Sequence, residues 1–325
     1  MSRGQTRLRI LLPVCALIIA FSLFLGGGWQ DPLSLLSADR STILEIRFWR
    51  VGLGAIVGAS LACAGAVLQT LLRNPLAEPY VLGVSAGSGL ALALVLSFCT
   101  VLQASVWGLP LVAFAGGVAS LYAVYALGRR AGTSSPYSLI LAGVVWGSLC
   151  GSVLMFVVSQ SSAEGLHTIL WWFLGDLQIF HRDLVVAIAI LNSFLLLALF
   201  TLTRPLNAMA LGDEVAGSLG LRPEQIRLVA LSIAAALAAS CVCVCGLLAF
   251  VGLVAPHAAR SLTGADHRRL LPASALIGAA FVVLADGVGR TLLYPVEIPV
   301  GIFTSLVGAP FFLILLRQKQ GAMWN

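Results

Sequence analysis

The stretch G-V-S-A-G, Gly83 to Gly87, has the G-x-S-x-G spacing that exposes a nucleophilic serine on a strand-to-helix turn. Acyl transfer from Ser85 would also need a strand leading into the turn, with a histidine and an acid nearby. Here the serine opens an apolar, helix-like run, so a hydrolase is rejected. The four histidines, at 167, 181, 257 and 267, form no H-E-x-x-H and no i, i+4 pair, which leaves an intramembrane zinc protease without its ligands. Lys319 is the only lysine in the chain. A Walker A loop is therefore impossible, and any ATP hydrolysis must come from another polypeptide. Seven cysteines, at 15, 63, 99, 150, 241, 243 and 245, sit inside apolar segments without metal spacing. C-V-C-V-C from Cys241 turns successive thiols to different sides of a helix, as small buried apolar residues do.

With soluble chemistries set aside, composition decides the class. Of 325 residues, 59% are hydrophobic and 10% charged, far from the balance of a soluble domain. The apolar runs are continuous and do not alternate residue by residue. Helices rather than a barrel are therefore expected in the bilayer. Crossings are predicted near 10–28, 46–71, 82–99, 108–128, 137–158, 183–202, 226–246, 248–262, 272–292 and 302–316, about ten in a single transmembrane domain over 1–325. The eighth is short and carries a proline, a histidine and an arginine, so it is expected to be broken or to span only in part. Arg3, Arg7 and Arg9 precede the first apolar run, and no A-x-A-like cleavage site follows, which reads as an uncleaved first helix.

The formal net charge of +6 is informative through its placement. With both termini cytoplasmic, Arg3, Arg7, Arg9, Arg73, Arg129, Arg130, Arg204, Arg222, Arg227, Arg260, Arg268, Arg269, Arg317 and Lys319 fall inside, and five of the 19 basic residues fall outside. That is the positive-inside pattern. The stretch R-N-P-L-A-E-P then becomes a cytoplasmic turn, its prolines barring helix continuation and its polar groups left to water or a partner.

Two polar segments are candidates for work. Thr203–Arg227 is the longest on the cytoplasmic side, with Leu206, Met209, Ala210, Ala216 and Leu219 at near-helical spacing and breaks at Gly212 and Gly220. Two short surface helices are predicted, either docking a partner or lying in the membrane interface. Ser159–Asp183 lies outside, and its Trp171, Trp172 and Phe173 form either an interfacial aromatic belt or a short helix at a pore mouth. Gly143, Gly147 and Gly151 give the fifth helix a face without side chains, for close packing or for a smooth wall along a pathway. Gly54 and Gly58 repeat the pattern on the second helix, where packing is expected. On the outer side stand Arg40, Arg47, Arg50, Arg182 and Arg290. Arg47 and Arg50 share a helix face; they either dock an acidic partner or snorkel, and Arg290 is also placed to pair with Asp286 at i, i+4.

Several long motifs in fixed order, I-R-F-W-R, R-N-P-L-A-E-P-Y-V-L-G-V-S-A-G-S-G, L-N-A-M-A-L-G-D-E-V-A-G-S-L-G-L and the run from G-L-V-A-P-H-A-A-R to G-A-P-F-F, resemble the FecCD-type permease subunits of ABC importers for iron-siderophores, haem and cobalamin. The resemblance extends from about Glu45 to Arg317. It implies an all-α membrane protein of about ten transmembrane helices with type II ABC importer permease architecture, forming a homodimer in a bacterial inner membrane. Two ATP-binding subunits and a periplasmic substrate-binding protein are the implied partners, with no nucleic acid. No cofactor or metal is implied on this chain, and ATP and Mg belong to the partner ATPase. Within the cytoplasmic segment 203–227, Leu206, Asn207, Met209, Leu211, Gly212, Asp213, Glu214, Leu219 and Gly220 are implied to couple to that ATPase. Arg47, Arg50 and Arg290 match positions that receive acidic residues of the binding protein. The pathway and gate are implied at Ser134, Ser135, Ser138, Gly143, Gly147, Gly151, Ile302, Ser305 and Ala309. Phe48 and Trp49 depart from the Arg-Leu-Pro-Arg pattern commoner in relatives.

The expected mechanism is alternating access driven by ATP binding to the partner, with movement of Leu206–Gly220 carrying the coupling energy. Few ionisable side chains sit within the spans, which suits a large, already chelated cargo better than a bare ion. The alternative is a self-powered secondary transporter. It would need intramembrane acids, for which Asp286 is the main candidate. A membrane enzyme comes third, without an acid, base and nucleophile set.

Overall fold

The computed structural model describes residues 3–26, 41–99, 102, 105–130, 133–178 and 181–323; Arg40 lies outside them. The described chain is almost entirely helical: α1 (Arg3–Ser22), α2 (Ser41–Leu71), α3 (Val84–Phe98), α4 (Gly108–Gly128), α5 (Pro136–Ser159), α6 (Ala163–Leu174) and α7 (Arg182–Thr201). The remainder are α8 (Thr203–Leu211), α9 (Asp213–Ser218), α10 (Pro223–Cys245), α11 (Val251–Thr263), α12 (His267–Leu292) and α13 (Val300–Met323). A 3-10 turn at Pro79–Leu82 and a two-residue antiparallel pair, β1 (Arg129–Arg130) with β2 (Thr133–Ser134), interrupt the helices. Each of the ten predicted crossings holds a helix. Six, namely α2, α4, α5, α7, α10 and α12, are long and apolar enough to cross a membrane by themselves.

The 31 residues of α2 form the axis of the bundle, packed by α12, α11, α10 and α7. Lipid is as apolar as leucine, so helices associate in it through close fit. Small residues supply that fit. A Cβ on Gly58 would overlap the Gly278 carbonyl of α12, and one on Gly65 would overlap the Gly252 carbonyl of α11. Burial of Cys241, Cys243 and Cys245 in α10 makes them packing residues. Beside them, Ser240 Oγ donates to Asn192 Oδ1 at 2.5 Å and ties α10 to α7.

The eighth crossing is short, as expected, and the connection after α2 departs from the sequence expectation for the same reason. α11 has only 13 residues and rises about 20 Å, short of the ~30 Å hydrocarbon core. Gly246 and Phe250, both with φ +67°, break the chain before it, so its N-terminus opens inside the bundle. The connection after α2 fills the gap. Arg73–Gly83 is not a plain solvated turn: Pro79 and Leu82 are buried, and Tyr80 Oη donates to Leu248 O at 3.0 Å and accepts from Leu248 N–H at 3.1 Å. Glu78 reaches the start of α11, where the free N–H groups of a helix favour a carboxylate. Its Oε1 is nonetheless shielded and lacks a hydrogen-bond partner among the described residues. Burial pushes the Glu78 carboxyl up to about 7, only partly opposed by the Phe250 N–H.

Candidate functional site

The Thr203–Arg227 segment folds as two short helices that meet at Gly212, where φ is +125°. Gly220, at φ +78°, ends α9. Its N–H bonds Gly217 O and that of Leu221 bonds Ala216 O, the paired closure that a left-handed glycine permits. Leu206, Met209 and Ala216 are buried and anchor the segment to the bundle. Leu211 at the end of α8 and Val215 and Leu219 at α9 are exposed instead, Leu211 71% and Leu219 64%. An apolar stripe in solvent is thus held on a fixed base; Glu214 is exposed beside it. Asn207 fastens the other flank, donating to Asp266 Oδ1 at 2.7 Å and accepting from His267 N–H at 2.9 Å. Burial would raise the Asp266 carboxyl, but the bonds from Asn207 and the Arg268 N–H hold it below the usual carboxylate range.

Arg227, only 2% exposed, is the centre of this end. Its guanidinium reaches Asp213 Oδ2 at 2.6 Å, Glu224 Oε2 at 2.8 Å and the Ser134 carbonyl at 2.9 Å. Asp213 Oδ1 takes Arg73 at 3.0 Å. Glu224 in turn accepts from Ser134 Oγ at 2.9 Å and from the Tyr125 hydroxyl. One buried arginine at the start of α10 therefore joins the first residue of α9 to the turn before α5. That turn is itself rigid: Ser138 N–H donates to Ser135 Oγ at 3.0 Å, Ser135 N–H donates to Ser138 Oγ at 3.1 Å, and Pro136 occupies the first turn. Sequence reasoning named Ser134, Ser135, Ser138 and Asp213 but treated Arg227 as one basic residue among many. The i, i+3 spacing of Glu224 and Arg227 was the signal available.

Ile302, Ser305 and Ala309 of α13 line one cavity of about 520 Å³ together with Phe173 of α6, Leu247 and Leu306. At its edge, Gly301 lets α13 press against the carbonyls of Leu174 and Leu247. Among the described residues no ionisable side chain lines the cavity, and the Ser305 hydroxyl is taken by Gly301 O at 2.8 Å. α6, capped by Ser162, supplies one wall, so Ser159–Asp183 holds a short helix, with Phe173 on the cavity. The glycines of α5 divide. Gly143 is buried against the Val81 carbonyl, the close packing that was one of its two expected uses. Gly147 and Gly151 face open space.

At the opposite end of the bundle, two of the three expected docking arginines are turned inward. Arg47 gives its guanidinium to the carbonyls of Leu23, at 3.1 Å, and Gly26, at 2.6 Å. Arg290 is 5% exposed and pairs with Asp286 at 3.0 Å. Both act as internal braces in this conformation, because only buried carbonyls and a buried carboxylate can satisfy guanidinium groups taken out of water. Arg50 also holds Asp286, at 2.8 Å, but extends to Glu297 at 2.9 Å, and Glu297 is 41% exposed. Asp286 therefore has both oxygens committed to arginines. It is not a free intramembrane acid for binding a coupling ion.

Comparison with known proteins fits this arrangement. The FecCD transport family matches residues 14–318, nearly the whole chain. The chain belongs to that family. Among its FecCD relatives, the Fe(3+)-citrate import system permease protein of Bacillus subtilis is 39% identical, over 97% of each chain. The cobalamin import system permease protein of Halobacterium salinarum is 38% identical over 95% of this chain and 80% of its own. A solved structure described as a metal-chelate type ABC transporter in an inward-facing conformation superposes with a TM-score of 0.86 at 30% identity, covering 97% of this chain and 99% of that one. This FecCD protein is accordingly a multi-pass membrane transport permease and not an enzyme.

Proposed function

We propose that two copies of this chain form the membrane pore of an ATP-driven importer in a bacterial inner membrane, with both termini cytoplasmic. Two ATP-binding subunits seat on the Leu211–Val215–Leu219 stripe, and an extracytoplasmic binding protein delivers cargo at the Arg50 end. The observation that carries this reading is the Asp213–Arg227–Ser134 connection, since it links the stripe to the start of α5 through a buried cation. A partner that pulls on the stripe can thereby move α5. That helix is the least buried of the six long spans, and its Gly147 and Gly151 leave room for a second protomer or a passing cargo.

The cargo is a metal chelate or a cofactor of similar bulk, with a ferric siderophore first and cobalamin or haem next. An apolar cavity without spare nitrogen or oxygen ligands suits a metal already coordinated by its own chelator, and it would hold a bare cation poorly. Relatives that move iron-citrate and cobalamin are equally similar to this chain, so overall identity does not select among cargoes. The test is reconstitution in proteoliposomes with candidate ATPase and binding proteins, following ATP-dependent uptake of ferric siderophore, haem and cobalamin in parallel. Uptake of one cargo that requires all three proteins is the expected result. Uptake by this chain alone under an ion gradient would overturn the reading.

A further inference from the structure

The outer ion network contains one contact that packing does not require. Arg50, 11% exposed, shares Asp286 with Arg290 and also lies 3.9 Å from Asp176, so the inner part of the network is complete without Glu297. Glu297 comes from the loop 293–299, which joins α12 to α13, and it meets Arg50 at 2.9 Å from the solvent side. The same loop exposes Leu293, Tyr294 and Val296, apolar side chains beyond the last turn of α12 and close in sequence to the ion pair. A charged centre with an apolar surround is the anatomy of a protein-docking surface.

We propose that Glu297 is an internal placeholder on Arg50, exchanged for a carboxylate of the extracytoplasmic binding protein when that protein docks. The inference rests on the docking reading above and adds the residue that competes with docking. Exchange conserves charge at Arg50 and leaves Asp286 held by both arginines, so no buried charge is stranded at any stage. It also frees the loop leading directly into Val300, the start of the helix that lines the cavity through Ile302, Ser305 and Ala309. Docking would thus loosen one end of α13 without breaking the core beneath it. The partner this surface fits presents an acidic side chain set among apolar ones.

The experiment uses the intact permease with its ATPase in nanodiscs and, as probe, the binding protein that restores uptake in the reconstitution above. Its Kd is measured against wild type, Glu297→Gln, Arg50→Gln and the double variant. Because Glu297 is a partly exposed partner, removing its charge is expected to tighten binding about two- to fivefold, the range of a surface ion pair. Arg50→Gln is expected to weaken binding at least about tenfold, and in its background Glu297→Gln is expected to have no further effect. Arg50→Lys, which keeps the charge, serves as the folding control and should recover part of the affinity. Unchanged or weaker binding by Glu297→Gln, with Arg50→Gln impaired, would overturn the exchange and leave docking intact. Wild-type binding by a folded Arg50→Gln permease would overturn the docking reading itself.

Discussion

Replacing Arg227 with methionine should uncouple ATP hydrolysis from transport. The substitution keeps an unbranched, buried stem and removes the guanidinium, with its bonds to Asp213 at 2.6 Å, Glu224 at 2.8 Å and the Ser134 carbonyl at 2.9 Å. Neither carboxylate is left alone. Asp213 is 41% exposed and keeps Arg73, while Glu224 keeps Ser134 Oγ and Tyr125. The full penalty for stranding buried charges therefore does not apply, and each lost bond to a half-solvated carboxylate is worth about 1 kcal/mol. Adding a similar amount for the Ser134 carbonyl gives roughly 2–3 kcal/mol, concentrated between the two short helices and the turn before α5. A local loss of that size changes a coupled equilibrium by about 30- to 150-fold. In proteoliposomes holding the full complex, uptake should fall at least about tenfold while ATP hydrolysis persists, so the ratio of cargo moved to ATP consumed collapses. Arg227→Lys, which cannot span three acceptors with one fork, should fall between. A wild-type ratio in a folded Arg227→Met complex would refute this role of the buried arginine.

Other consequences can be checked independently. Leu211→Asp and Leu219→Asp alter exposed positions, so the permease should keep its melting temperature to within about 0.5 kcal/mol of stability yet lose co-purification with its ATPase. Glu78 provides a pH test: its folded pKa of about 7 exceeds the ordinary carboxylate value, so the folded state binds more protons between about pH 4.5 and 7 and loses stability as pH rises through that window. Glu78→Gln should then raise the melting temperature at pH 8, by the equivalent of up to about 3 kcal/mol, and leave it nearly unchanged at pH 4.5; an equal shift at both would contradict the assignment. Gly65→Ala should prevent normal assembly, because its Cβ would overlap the Gly252 backbone, whereas Gly147→Ala should fold normally and report, through uptake alone, on the open face of α5.

The sequence by itself determined the class, the ten helical segments and the two short helices broken at Gly212, because these follow from local quantities. Runs of apolar residues must satisfy their own backbone, charged residues must end them, and glycine permits a break wherever it falls. It also flagged the eighth helix as irregular, through a shortage of apolar length. Only the tertiary structure decided the rest. The Arg290–Asp286 pair is local and legible at i, i+4, but whether Arg47 and Arg50 face solvent or the core depends on acceptors farther along the chain, Gly26, Asp286 and Glu297 among them, and no local pattern pairs residue 50 with residue 297. The same holds for Gly143, whose neighbour Val81 arrives through a connection that folds back because α11 is too short to fill its place. Arg227 is the clearest instance. One cation among many in the sequence, it has Glu224 beside it on its own helix, but Asp213 and the Ser134 carbonyl are brought to it by the fold, and a guanidinium can stay buried only where such acceptors converge.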